Sequence, residues 1–94
     1  CSSCHGSHGY GDGPAAHGLE PAAKNFHDPS VRQSGSAAKN FNTLITGISG
    51  TSMTSYSFLA EKDRWRLSFY LTSIPYNKEF RSNSASQKIK KYNP

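Results

Sequence analysis

Cys1-Ser2-Ser3-Cys4-His5 constrains this chain more than any other stretch. Two cysteines with two residues between them, followed directly by a histidine, is the spacing for covalent attachment of a c-type haem. Each thiol can add to one vinyl group of a porphyrin. The next side chain then sits close to the iron, where its imidazole can serve as the proximal ligand. Other chemistries use part of the same set. A Cys-x-x-Cys pair can be a redox dithiol, but that motif usually opens a helix in a βαβ unit, and no strand pattern surrounds it here. A zinc site could draw on Cys1, Cys4, His5 and His8, although structural zinc motifs normally take their second ligand pair from farther along the chain.

The rest of the chain fits a need for a cofactor. With 94 residues, 34% of them hydrophobic, and a mean hydropathy of -0.69, it has little from which to build a core. Chains this short commonly need a staple. Both cysteines belong to the motif, so no disulfide remains to supply one. A porphyrin would offer a large apolar face, and folding is expected to be coupled to its binding, with the apoprotein largely unfolded. No apolar run reaches the roughly 20 residues needed to span a bilayer, and no signal peptide is present.

Residues 6–35 carry six of the eight glycines and three of the five prolines, Pro14, Pro21 and Pro29, without periodicity. They read as one long loop. Such a loop needs something to wrap, and a porphyrin edge would serve, with glycines letting backbone approach the ring. The wording after His5 is Gly6, Gly9, Gly11-Asp12-Gly13-Pro14 and Gly18-Leu19, then Lys24-Asn25-Phe26. It resembles the opening of bacterial class I cytochromes c. That resemblance implies that the carbonyl of Pro14 accepts a hydrogen bond from the Nδ1–H of His5, fixing the ring and raising its basicity. Spacing alone allows Pro14 simply to stiffen a turn. Phe26 is expected near the haem edge. His8, His17 and His27 are alternative axial ligands in a bis-histidine arrangement, against the commoner role of surface histidines in a polar loop.

Two helices follow. Ser36 is a plausible N-cap, with Phe41, Leu44, Ile45 and Ile48 at i, i+3, i+4 and i+7, and Gly47 placed to end the helix. The second runs from about Glu61 to Ser73. Leu67, Tyr70, Leu71 and Ile74 form its stripe, and Trp65 and Phe69 an adjoining strip. Glu61 and Asp63 suit the N-terminal end of the dipole. The Arg64-Trp65-x-Leu67-x-x-Tyr70 wording resembles the family's C-terminal helix. In that family it crosses an N-terminal helix ahead of the attachment motif; here the sequence starts at Cys1, so that helix is read as missing and its partner face as exposed or covered by another chain. Ala60, at the cap position, is expected to let the helix start fray.

Between the helices lies Gly50-Thr51-Ser52-Met53, with the only methionine of the chain. A thioether is a soft neutral ligand suited to reduced iron, and it must come from a different segment than His5. Most methionines merely fill core space. The Gly-Thr-x-Met wording is similar to the family's second signature and implies axial ligation by Met53. The family usually has proline next, whereas Thr54 stands here, which predicts a more mobile ligand loop and a weaker iron–sulfur bond. Tyr56 and Phe58 are expected to give aromatic cover.

From Pro75 onward the pattern fails. Lys78, Arg81, Lys88, Lys90 and Lys91 face only Glu79, a net +4 of the chain's formal +5. A solvated basic tail is one reading, an electrostatic docking arm the other. The resemblance, spanning residues 1 to about 74, implies an all-α class I cytochrome c fold around one haem c held through Cys1 and Cys4. Its iron ligands would be His5 and Met53, with residues 75–94 as a basic tail. The implied function is one-electron transfer between larger redox proteins with acidic docking surfaces, outside the cytoplasmic membrane. Membrane contact would come only through a partner complex, and no nucleic acid is involved. No acid–base or nucleophile–base pair suggests an enzyme. The alternatives are a haem enzyme or gas-sensing domain with a displaceable sixth ligand, or the haem domain of a larger membrane oxidase or permease.

Overall fold

A computed structural model describes residues 1–81. Those residues contain no strand; their α-helices include α1 (Ser2–His5), α2 (Pro29–Ser34), α3 (Ala37–Thr46) and α4 (Glu61–Ser73), and residues 78–81 are helical as well. Short 3-10 turns lie at Pro14–Ala16 and Ile74–Tyr76. Among the described residues, no helix is long and apolar enough to cross a membrane.

The expected caps hold for α3. The Ser36 side chain accepts from the amide of Lys39 at 3.1 Å, and Gly47 ends the helix at φ 65, its N–H donating to Thr43 O. α4 keeps the expected bounds, starting from Ala60 without a side-chain cap. Its first turn is instead held by amides of Asp63 and Arg64 donating to Ala60 O.

α3 and α4 pack together and form the centre of the fold. Where they meet, Ser68 is fully buried, and its small side chain lets the two backbones approach. Asn40 Nδ2 donates across to Ser68 O at 3.1 Å. Phe41 and Trp65 stack with centroids 3.9 Å apart, and the Arg64 guanidinium lies over the Phe41 ring. Arg64 also donates to the carbonyls of Ser57 and Leu59, fastening the turn ahead of α4.

The apolar core is thin. Leu44 and Ile74 are the fully buried hydrophobic side chains among the described residues, joined by Pro75. Of the expected α4 stripe, Ile74 is buried and Leu67 and Leu71 are half-buried, but Tyr70 is 47% exposed. Phe69, on the adjoining strip, is 60% exposed.

Two expectations need correcting. Residues 6–35 are not one structureless loop, because α2 interrupts them. The signal was present: Asp28 caps the helix by accepting from Ser30 N–H at 2.8 Å, and Pro29 stands in its first turn. These bonds from the Ser30 side chain and backbone hold the Asp28 carboxyl below the usual carboxylate range. Order also does not stop at residue 74. The chain turns through the buried Pro75, residues 78–81 are helical, and Phe80 packs edge-on against His8. Most of the basic tail, including Lys88, Lys90 and Lys91, lies outside the described residues.

Candidate haem attachment site

A single helical turn builds the attachment motif. The amides of Cys4 and His5 both donate to Cys1 O, so α1 stacks the two cysteines at i and i+3 on one side. Both thiols are free, Cys1 exposed and Cys4 half-buried. The following loop folds straight back onto this turn: Gly11 N–H donates to His5 O and Gly13 N–H to Cys4 O. The approach is close enough that a Cβ on Gly13 would lie 2.2 Å from Ser3 O. Glycine is required there for space rather than for an unusual backbone angle.

The His5 ring is oriented from outside the motif. Its Nδ1 lies 3.1 Å from Lys24 O. A carbonyl only accepts, so Nδ1 carries a proton, and in the neutral ring that leaves the lone pair on Nε2. The Phe26 ring lies 4.9 Å from that of His5. The hydrogen bond expected at Pro14 is therefore made by Lys24. Pro14 instead opens a 3-10 turn, in a segment that Gly11 and Gly13 pin to α1. The backbone at residues 23–24 takes the place beside the ring, where a Cβ on Gly11 would lie 2.7 Å from Ala23 O. Sequence wording could not find Lys24, because it contributes a backbone carbonyl and any residue type has one.

Met53 is half-buried on a loop fastened to the end of α3. Ile48 N–H donates to Met53 O, and Met53 N–H donates to the Thr51 hydroxyl. Farther on, Tyr56 N–H donates to Leu44 O and the Ser55 hydroxyl to Ile45 O. The loop expected to be mobile for want of proline after Met53 is thus restrained by these hydrogen bonds, and the Thr51 amide and hydroxyl both donate to Ile48 O as well. Tyr56 is half-buried and Phe58 is exposed, with ring centroids 5.7 Å apart.

The other histidines are spent differently. The His27 Nε2 contacts His8 O at 2.7 Å, its ring stacked on Tyr10. His8 contacts Ser7 and Phe80, and His17 is exposed. Among the described residues, no three His, Cys, Asp or Glu side chains converge to hold a metal ion, so the zinc set of Cys1, Cys4, His5 and His8 is not assembled.

The donor set suits a covalently held haem. It comprises two free thiols one helical turn apart, an adjoining imidazole with Nδ1 committed and Nε2 open, and a thioether on a second segment.

Comparison with known proteins agrees. The family model described as Cytochrome c matches residues 1–75. No curated protein and no solved structure matches the chain. The family binds haem c covalently through cysteines, and Cys1 and Cys4 fit that motif. The helical fold, the attachment turn and the match over most of its length place this chain in the class I cytochrome c family, whose work is haem-based electron transfer.

Proposed function

We propose that the chain is a mono-haem electron carrier with His5 and Met53 as the two axial ligands, passing single electrons between larger redox proteins outside the cytoplasmic membrane. The observation that carries this reading is the His5–Lys24 hydrogen bond, which leaves Nε2 as the free coordinating atom beside the two thiols. When bound, the haem supplies an iron that cycles between two charge states. The protein does the rest. Cys1 and Cys4 tie the ring to the backbone, so a change of iron charge cannot release it. Lys24 O keeps the His5 ring in one tautomer and one orientation, and raises its basicity. The fastened 48–56 loop presents Met53 as a neutral sulfur donor, which favours ferrous iron relative to a second histidine.

With two protein ligands committed to the iron, this reading leaves no open position for a substrate. Docking would be electrostatic, from the net charge of +5 toward an acidic partner surface. The test is the purified holoprotein. Acid–organic extraction should leave the colour on the protein, with an intact mass one haem above that of the chain, and both oxidation states should be low-spin. Colour moving into the organic phase would defeat covalent attachment, and a high-spin ferric spectrum would defeat the two-ligand assignment.

A further inference from the structure

We infer that His27 is a positioning residue for His5, acting through the Lys24 carbonyl. This rests on the proposal that His5 ligates the iron. Residues 24–28 lie beside residues 5–11, joined by three hydrogen bonds. His5 Nδ1–H donates to Lys24 O at 3.1 Å, Phe26 N–H to Gly9 O at 2.8 Å, and His27 Nε2–H to His8 O at 2.7 Å. The last is the shortest of the three and the only one besides that of His5 made by a side chain. Because a carbonyl can only accept, the proton on His27 is at Nε2.

His27 is itself held on several sides. Its ring stacks on Tyr10 with centroids 3.8 Å apart and planes 15° from parallel. Its backbone N–H donates to the Asn25 side-chain oxygen at 2.9 Å, and Asn25 O accepts from Asp28 N–H at 3.1 Å. These bonds tie residues 25–28 into one turn, so a displacement of that turn carries the Lys24 carbonyl with it. His27 and the Phe26 amide are what stop that movement. The side chain of Lys24 is exposed and has no part in it.

The electronic consequence has a definite sign. A firm Nδ1–H···O=C bond makes the imidazole a better donor and stabilises the ferric state. Loosening the clamp weakens that bond and should raise the reduction potential. Three substitutions separate the hydrogen bond from the packing. His27→Gln keeps an amide donor at about the reach of Nε2, His27→Asn carries the same group too short to reach, and His27→Phe keeps the stacking without a donor.

The experiment is a spectroelectrochemical titration of the four holoproteins, with NMR exchange of the His5 Nδ1 proton alongside. His27→Gln should stay near wild type. His27→Asn and His27→Phe should favour the ferrous form by about threefold, about 30 mV at 59 mV per tenfold, with faster exchange of that proton. Equal potentials in all four proteins overturn the inference, as do equal shifts in all three variants, because His27→Gln keeps the donor; a wild-type potential in His27→Phe beside shifts in His27→Gln and His27→Asn also overturns it and assigns the effect to the ring's packing. A low-spin wild type in either case leaves the His5 ligand standing, so the two ideas fail separately.

Discussion

At the scale of single residues, Met53 carries the most consequence and the least redundancy. It is the only methionine in the chain, and its loop is bonded through main chain and hydroxyls, so its side chain can be removed without unfastening the loop. Met53→Ala should leave water, hydroxide or a histidine as the sixth ligand. All of these are harder donors than a thioether and favour ferric iron. The potential should fall by at least several tens of millivolts, where 59 mV is a tenfold change for a one-electron couple. Carbon monoxide should also bind faster. A variant with the wild-type potential and visible spectrum would remove Met53 from the iron. This residue was legible from the sequence because it had to be a particular side chain in a particular wording. Lys24 and His27 were not, since one acts through its carbonyl and the other through a contact set by folding. Pro14 was misplaced for the same reason: a carbonyl acceptor leaves no mark on residue type.

Among the elements, the long helices showed in the sequence through their apolar spacing, whereas α2 left only a capping signal. α3 and α4 have enough turns for apolar spacing to show, and their bounds and the Ser36 cap agree with the structure. α2 has six residues, too few for a period, and only its Asp28-Pro29 start betrays it. The Asp28 cap should also make α2 sensitive to acid. Its carboxyl is held below the usual range, so its contribution is fully present above that range and is lost as pH falls through the lowered folded value. Asn caps about as well as Asp but does not titrate. Asp28→Asn should therefore lose amide protection in α2 less steeply than wild type on acidification, measured by hydrogen exchange. Parallel losses in the two proteins would discount the cap's ionisation. At the α3–α4 contact, Ser68 was invisible to a hydrophobic count, yet it is the most buried residue described. Ser68→Leu should force the helices apart and destabilise the holoprotein by about 1–3 kcal/mol, seen as a lower unfolding midpoint. An unchanged midpoint would mean the crossing can relax.

A thin core among the described residues goes with a formal charge concentrated at one end of the sequence. Residues 75–94 hold a net +4 of the total +5. If they steer docking, a chain lacking residues 78–91 should associate more slowly with an acidic redox partner at low salt. That difference should fade by about 0.15 M, where screening acts within about 8 Å. Equal rates at low salt would make the tail a solvated extension. The protein's own contribution to its interior is small, with Leu44 and Ile74 its fully buried apolar side chains among the described residues. With so little apolar burial of its own, the chain is expected to need the haem tied to Cys1 and Cys4 to hold its shape. Shape then becomes a certificate of loading. Copies that miss attachment should stay open to proteases while loaded copies should resist them, so limited proteolysis of a mixed preparation should leave the haem-bearing chains.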